Sequence, residues 1–171
     1  MNTITLRELR LSDKAAFSAA SNELWESHFI FAHYFESIAH NSFEKYVEVL
    51  PLFSKGKLIP SEHVPSTILF AFNSHGKIVG RVSIRHTLSE ALMIIGGHVG
   101  YGVVPSERRK GYATQILSES ILYIKLHFPQ LDRILVTCDE SNIASAKTIE
   151  KNGGVLENIT EDHKKRYWID L

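Results

Sequence analysis

GYGVVPSERRKGYAT, residues 100–114, is the stretch of the chain that decides the fold. It has the pattern of a strand, a short basic turn and the first turns of a long helix. The free backbone N–H groups at a helix N-terminus, together with the helix dipole, favour an anion there. Gly111 and Ala113 are small enough to let a phosphate approach the backbone, and residues 108–110 add positive charge. The stretch therefore predicts a phosphate or pyrophosphate ligand.

This loop differs from the commoner phosphate-binding loops. The sequence contains no GxxxxGK[ST] motif and no GxGxxG motif after a strand, because Gly97 and Gly100 fall too early, inside the strand itself. The loop has the pattern [QR]xxGx[GA] instead, with Arg108, Gly111 and Ala113 at its three defined positions.

The hydrophobic pattern of the whole chain predicts one α/β domain over residues 1–171. Strands are predicted at residues 3–9, 66–72, 77–86, 98–104, 132–137, 155–159 and 164–170, with a hairpin turn at 73–76. Helices are predicted from Ser12 or Asp13 to about Trp25, from Arg109 to His127, and from an N-cap at Ser141 to about Asn152. Residues 26–58 read as helices with a mobile connection, punctuated by Pro51, and residues 88–95 as a short helix or an extended lid.

The composition of the 171 residues is that of an ordinary globular protein, with 44% hydrophobic and 22% charged residues. The 19 basic and 19 acidic residues cancel, which argues against nucleic acid or an anionic membrane as a partner. Cys138 is the single cysteine and the nine histidines lack zinc-ligand spacing, so no metal is predicted. Since neither a membrane-spanning run nor a secretory signal is visible, we expect a cytoplasmic protein.

Two motifs resemble those of the GNAT superfamily of acyl-CoA-dependent N-acetyltransferases. Val103-x-Pro105 followed by Arg108-x-x-Gly111-x-Ala113 is similar to the family's strand-to-helix acetyl-CoA motif. DESNIAS, residues 139–145, is similar to its second motif, in which an Asn begins a helix and a Ser follows three residues later. KNGG, residues 151–154, stands where the family usually has K-x-G-F.

A narrower resemblance is carried by four segments. IRH (84–86), GGHVGYGVVPSERRKGYAT (96–114), TCDESNIASAK (137–147) and RYWIDL (166–171) are similar to a bacterial branch of predicted acetyltransferases with an unassigned substrate. The resemblance covers the whole chain. It implies an α/β (α+β) fold of GNAT type, in which a mixed, mostly antiparallel central sheet of about seven strands is flanked by helices and splayed between strands 4 and 5.

The resemblance also implies acetyl-CoA as the cosubstrate, with no metal. The backbone of residues 108–113 and the Thr114 hydroxyl would hold the pyrophosphate, and a backbone N–H near Val103 would polarise the thioester carbonyl. Asn142 would contact the pantetheine arm or the opposite strand, or serve only as a helix N-cap. The implied cofactor-binding residues are Val103, Val104, Pro105, Arg108, Arg109, Lys110, Gly111, Tyr112, Ala113, Thr114, Asn142 and Ser145.

The catalytic residues are less defined. Many family members carry a Tyr seven residues after the Asn as proton donor to the thiolate, but Ile149 occupies that position here. By the resemblance Ser145 is the best-placed donor and Tyr167 the second, although Ser145 could equally be a CoA contact. His98 is the candidate general base, because an imidazole pKa near 6.5 suits proton abstraction near neutrality. A hydrogen-bonded structural histidine and a water relay are the alternatives.

The acceptor is an amine whose identity the sequence leaves open. Arg85, His86 and His98 are the candidate substrate-binding residues, and no strong acidic patch selects a polycation. We expect an N-acetyltransferase that acts on a primary amine of a small molecule or peptide by direct attack in a ternary complex. A non-catalytic acyl-CoA-binding module is the alternative, and the zero net charge counts against a toxin that acetylates charged tRNA. A monomer or a homodimer is expected.

Overall fold

Seven strands and five helices alternate along the chain in the computed structural model, which describes residues 3–26 and 29–171. The strands are β1 (Ile4–Arg7), β2 (Ser66–Asn73), β3 (Ile78–Arg85), β4 (Val99–Val103), β5 (Arg133–Asp139), β6 (Val155–Ile159) and β7 (Lys164–Asp170). The helices are α1 (Lys14–Ser21), α2 (Phe43–Phe53), α3 (Glu90–Ile94), α4 (Tyr112–His127) and α5 (Ile143–Lys151). Within the described residues, no helix has both the length and the apolar character that a bilayer span requires.

The strands form two antiparallel sheets, with the orders β1-β2-β3-β4 and β5-β7-β6. The turn at residues 73–76 joins β2 to β3, and the Asn73 side-chain oxygen accepts the His75 and Lys77 N–H groups at 3.0 Å each. The predicted fold class is therefore confirmed: seven strands, mostly antiparallel, flanked by helices and divided between the fourth and fifth.

The two sheets meet at one short junction before β4. Gly97 and Val136 form an isolated antiparallel bridge. Next to it, the His98 N–H donates to the Leu135 carbonyl at 2.7 Å, and the His98 ring atom Nδ1 accepts the Leu135 N–H at 2.9 Å. No ladder joins β4 to β5 beyond this point among residues 3–26 and 29–171. The chain thus holds the sheets together at one end of a cleft and leaves the rest of the cleft open.

Two apolar cores fix the helices on opposite sides of the sheets. The core beneath α4 and α5 includes the fully buried residues Val82, Ile116, Ile124, Ile134 and Ile149. The core beneath α1 and α2 includes Phe17, Tyr46, Phe53, Phe70 and Ile78. Because α4 and α5 both pack in the first of these cores, their N-terminal ends are held beside the open cleft.

Several boundaries differ from the sequence prediction: β1 ends at Arg7 instead of residue 9, and α4 begins at Tyr112 instead of Arg109. α1 ends at Ser21 instead of Trp25, because the Trp25 indole N–H folds back and donates to the Ala20 carbonyl at 2.9 Å. The N-cap of α5 is Asn142, whose side chain accepts the Ser145 N–H, whereas Ser141 was predicted. Pro51 lies inside α2 and does not end it. Residues 88–95 adopt the short-helix alternative, α3.

We predict that Gly97→Ala destabilises the fold more than Gly153→Ala. Both glycines have positive φ, +60° and +85°, so alanine is strained at either position. A Cβ on Gly97 would lie 2.3 Å from the Leu135 carbonyl oxygen, whereas a Cβ on Gly153 would meet no atom within 4 Å. Urea unfolding should show a loss of about 2–4 kcal/mol for Gly97→Ala and about 1–2 kcal/mol for the control. Equal losses would mean that the junction tolerates separation of the two sheets.

Candidate functional site

A groove of about 520 Å³ runs between β4 and the N-terminal ends of α4 and α5. Its walls come from the loop before α4, from the open edge of β4, and from the segment after α1. The lining residues are Trp25, Glu26, Phe29, Tyr101, Gly102, Val103, Glu107, Arg108, Arg109, Gly111, Tyr112, Ala113, Thr114, Asn142, Ala144, Ser145 and Thr148. The groove therefore lies where the sequence predicted a phosphate ligand.

The loop before α4 presents unoccupied backbone donors to this groove. Gly111 is the N-cap of α4, adopts a left-handed φ of +82°, and supplies no capping side chain. The N–H groups of Ala113 and Thr114 have no acceptor among the described residues. A Cβ built on Gly111 would meet nothing within 4 Å, so the space above the loop is open. This arrangement can bind an anion through backbone N–H groups and the helix dipole.

The cations beside the loop differ in how they are paired. Arg108 forms a two-pronged ion pair with Glu26 and also donates from Nε to the Val103 carbonyl at 3.3 Å. Lys110 binds the buried carboxylate of Glu107 at 2.8 Å, and that carboxylate also binds Lys77 at 2.6 Å. These two lysines lower the pKa of Glu107. Arg109 has no carboxylate partner within residues 3–26 and 29–171 and is the cation most available to an incoming anion.

A second cavity, of about 330 Å³, adjoins the groove and is lined by residues of β3, β4 and β5. Its lining residues are Phe29, Ile30, His33, Arg81, Arg85, Ile95, Gly96, Val99, Gly100, Tyr101, Thr137, Cys138, Asp139, Asn142, Ser145 and Lys164. Four residues line both spaces: Phe29, Tyr101, Asn142 and Ser145. The groove and the second cavity therefore meet at these side chains, and a molecule in one can contact a molecule in the other.

Hydrogen-bonding side chains occupy this meeting point. The Tyr101 hydroxyl lies 3.1 Å from Ser145 Oγ, and the Asn142 side chain accepts the Ser145 N–H at 3.0 Å. Burial raises the pKa of Tyr101, which keeps its phenol protonated at neutral pH. The pair Tyr101–Ser145 can therefore donate a proton to a group placed at the end of the groove.

Two glycines in β4 leave room for side chains from neighbouring segments. A Cβ on Gly102 would lie 2.3 Å from the Phe29 ring, and a Cβ on Gly100 would lie 3.4 Å from Arg85 Nη2. Because side chains alternate along a strand, these glycines share one face while Tyr101 faces the other. The GYG triplet therefore admits an aromatic and a guanidinium on one face and a phenol on the other.

Most of the predicted cofactor-binding residues line the groove. They are Val103, Arg108, Arg109, Gly111, Tyr112, Ala113, Thr114, Asn142 and Ser145. Val104, Pro105 and Lys110 do not: Val104 is fully buried in the core beneath α1 and α2, and Lys110 turns to Glu107. Asn142 is the N-cap of α5 and also lines both spaces, so the capping role leaves it within reach of a molecule in the groove.

Three predicted catalytic or substrate-binding side chains lie outside both cavities. The His98 ring uses Nδ1 to accept the Leu135 N–H, so that lone pair is not available for an amine proton. His86 pairs with Thr67 at 2.9 Å. The Tyr167 hydroxyl donates to Glu150 Oε1 at 3.0 Å, and burial raises its pKa to about 12. The geometry therefore opposes a base role for His98 and a donor role for Tyr167, while Arg85 does line the second cavity.

Sequence reasoning did not assign Tyr101, Phe29 and Arg81 to the site. Tyr101 lies inside the decisive stretch, and its position between two glycines was the available signal. Phe29 and Arg81 have no local signal, because each reaches the site only through packing of distant segments. Among the described residues, no group of three or more His, Cys, Asp or Glu side chains could hold a metal ion.

Comparisons with known proteins agree on one family. A family model described as an acetyltransferase (GNAT) domain matches residues 3–155. An uncharacterized N-acetyltransferase of Bacillus subtilis (strain 168), YjdG, is 31% identical over 71 residues, which are 42% of this chain and 40% of that protein. The aligned stretch thus spans less than half of that relative's length.

Solved structures share the fold. RimJ of Mycobacterium smegmatis, in complex with CoA-disulfide, has a TM-score of 0.64 at 19% identity, covering 99% of this chain and 82% of that one. The spermidine N-acetyltransferase of Vibrio cholerae, in a dodecameric structure, has a TM-score of 0.58 at 16% identity, covering 98% and 93%. At these identities the likeness concerns the fold, and what this chain does has to be argued from its own site.

We predict that His98 makes the fold sensitive to acid. Burial and the nearby Arg85 lower the pKa of His98 from 6.5 to about 4. Between pH 6.5 and 4 this histidine is protonated in the unfolded chain but neutral in the folded chain. The free energy of unfolding therefore decreases as the pH drops through that range. The expected loss from this residue is about 2 kcal/mol, measured by urea unfolding at pH 7, 6, 5 and 4.5.

His98→Asn is the matched variant for this test. The asparagine oxygen can take the place of Nδ1 as acceptor for Leu135 but does not titrate. The variant should have a shallower pH dependence than the wild type. Parallel curves would show that His98 is not the titrating group.

Proposed function

This chain belongs to the GNAT acetyltransferase family, and we propose that it moves an acetyl group from acetyl-CoA to a primary amine of a small molecule or peptide. The observation that carries the proposal is the meeting of two spaces at Tyr101 and Ser145. The groove presents backbone N–H groups to a phosphate, and the second cavity has room for a second molecule. Direct transfer between two bound reactants needs this arrangement.

The groove suits CoA at both ends. The backbone of residues 108–113, the side chain of Arg109 and the Thr114 hydroxyl would hold the pyrophosphate, since the N–H groups of Ala113 and Thr114 lack other acceptors. The open edge of β4 at Val103 would receive the pantetheine amides, because no strand pairs with it on that side among the described residues. Asn142 and Ser145 then lie where the arm ends.

The transfer itself makes few demands on side chains. Acetyl-CoA supplies the acetyl group and a leaving thiolate. The amine enters from the second cavity, a C–N bond forms as the C–S bond breaks, and Ser145 passes a proton from Tyr101 to the departing sulfur. A backbone N–H of β4 near Val103 would polarise the acetyl carbonyl.

Water is the best candidate to remove the amine proton. His98 faces the sheet junction, and burial together with Arg81 and Arg85 lowers the pKa of His33 to about 3, which makes it a poor base at neutral pH. Asp139, which also lines the second cavity, forms an ion pair with Lys164. A water relay within the second cavity would remove the amine proton without breaking the His98–Leu135 hydrogen bond or the Asp139–Lys164 ion pair.

A non-catalytic acyl-CoA-binding module is the second candidate. It is favoured by Ile149, which is fully buried and stands where many family members have the proton-donating Tyr. Thiol release from acetyl-CoA across a panel of amines separates the two. Release that depends on the amine supports the enzyme; tight CoA binding without release for any amine supports the module.

We predict that Gly111→Glu abolishes CoA binding. The substitution places a carboxylate in the open space above the loop, where the pyrophosphate would lie. Gly111→Ala is the control, because it carries the same positive-φ strain without the charge. Calorimetric titration with CoA should show a loss of 100-fold or more for the glutamate, on the order of 3 kcal/mol, and a smaller loss for the alanine. Retained binding in Gly111→Glu would place the pyrophosphate elsewhere.

We predict that Tyr101→Phe and Ser145→Ala each lower kcat by about 10- to 100-fold. Because the two hydroxyls form one relay, the double variant should lose little more than either single variant. The losses should shrink when the leaving thiol is more acidic, as in an activated thioester, since such a thiol needs no proton donor.

Tyr167→Phe discriminates between the two candidate donors. Its hydroxyl binds Glu150 outside both cavities, so the rate should stay within about threefold of the wild type. A loss confined to Tyr167→Phe would move the donor to β7.

A further inference from the structure

Two buried arginines line the second cavity from the same strand. Arg81 and Arg85 lie four residues apart on β3, so their side chains leave the strand on one face. Arg81 is 2% exposed, and its guanidinium carbon lies 4.7 Å from the centre of the Phe29 ring. Gly102 and Gly100 stand opposite Arg81 and Ser83 on β4, and the Phe29 ring and the Arg85 guanidinium lie over these two glycines.

The hydrogen bonds of these arginines go to neutral groups. Arg81 donates to the carbonyls of Ile30 and of Phe31, the latter at 3.1 Å. Arg85 Nη1 donates to the carbonyls of Gly96 and Gly97 at 3.1 and 2.9 Å. No carboxylate binds either guanidinium within residues 3–26 and 29–171. In that same part of the chain, Arg85 Nη2 has no hydrogen-bond partner, and it lies 3.4 Å from where a Cβ on Gly100 would stand.

The charge of the second cavity is consequently positive. Its described lining contains three cationic side chains, Arg81, Arg85 and Lys164, against one carboxylate, Asp139, which Lys164 already binds. Burial is the largest cause of the lowered pKa of His33, and both guanidiniums add to it by disfavouring a further positive charge there. Burying unpaired charge is costly, and a bound anion would offset that cost.

We propose that the second cavity is an anion subsite, and that the acceptor is a small amine which carries a carboxylate. The inference rests on the proposed function, since it places the amine at the meeting point and the carboxylate at Arg85. A guanidinium with free N–H groups matches a carboxylate in geometry as well as in charge. A polyamine is disfavoured, because its extra cations would meet Arg81, Arg85 and Lys164.

Matched pairs of acceptors provide the test. ω-Amino acids from glycine to 6-aminohexanoate are compared with alkylamines of equal length, with aminoalkylphosphonates and with spermidine, by thiol release from acetyl-CoA. The best amino carboxylate should exceed its alkylamine in kcat/KM by about 10- to 100-fold, the worth of a charge-assisted hydrogen bond. Equal rates, or a preference for spermidine, would overturn the proposal. A tenfold preference for the phosphonate would overturn the choice of carboxylate.

Arg85→Gln tests the residue. It should reduce the ratio between amino carboxylate and alkylamine to within about threefold. Arg85→Lys keeps the charge and should keep part of the ratio, which guards against a variant that fails to fold. Arg133→Gln is the matched control, because Arg133 stacks on Trp168 outside both cavities and should leave the ratio unchanged. An unchanged ratio in a folded Arg85→Gln would overturn the assignment.

A binding measurement separates this inference from the proposed function. The same amino carboxylates are titrated calorimetrically into CoA-saturated protein. Binding that Arg85→Gln abolishes, without thiol release for any amine, would keep the anion subsite and reject the enzyme. If thiol is released without a preference for amino carboxylates, and if their binding does not depend on Arg85, the enzyme is kept and the anion subsite is rejected.

Discussion

The double hydrogen bond between His98 and the Leu135 backbone is the constraint on which the rest of the structure depends. It joins the two sheets beside the bridge between Gly97 and Val136 and the hydrogen bond from the Gly96 N–H to Thr137 Oγ1 at 2.8 Å. Since the ladder stops there, β4 and β5 separate and leave backbone groups of β4 without a strand partner. Beyond the junction the two sheets are held together by the core beneath α4 and α5, which contains residues of both, such as Val82 and Ile134, whereas the core beneath α1 and α2 packs on the four-stranded sheet. His98 is therefore buried and uncharged at neutral pH at the point where β4 and β5 begin to separate.

The half of the site that presents backbone N–H groups to the groove was predictable from the sequence because backbone geometry builds it. A glycine with positive φ, an uncapped helix start and a preceding strand are local properties, and residues 100–114 contain all of them. The closing strands were predicted with their observed limits, 155–159 and 164–170, because turn formers bound them on either side. The predicted end of α1 at Trp25 was wrong, because the Trp25 indole N–H binds the Ala20 carbonyl five residues earlier and the helix ends at Ser21.

The other half of the site was not predictable because side chains from distant segments build it. Phe29 comes from the segment after α1, Arg81 and Arg85 from β3, and Ser145 from α5. His98 illustrates the difficulty: its type and position suggested a base, but its ring nitrogen is committed to a backbone N–H that only the folded sheets bring near. For Tyr101, the sequence allowed us to predict which face of β4 its side chain takes. Its hydrogen-bond partner could not be predicted, because Ser145 lies 44 positions away in the chain.

The balance of 19 basic and 19 acidic residues hides two kinds of positive site. Beside α4 the cations are mostly paired with Glu26 and Glu107, and an anion there is held chiefly by N–H groups. On β3 the guanidiniums of Arg81 and Arg85 are buried, and within the described residues their hydrogen bonds go to backbone carbonyls. Apolar side chains of similar size would fill that space at lower cost to stability, so packing alone does not account for two arginines. The first arrangement suits a cosubstrate recognised by its phosphates, whereas the second suits a negatively charged group on the acceptor that we propose for the second cavity.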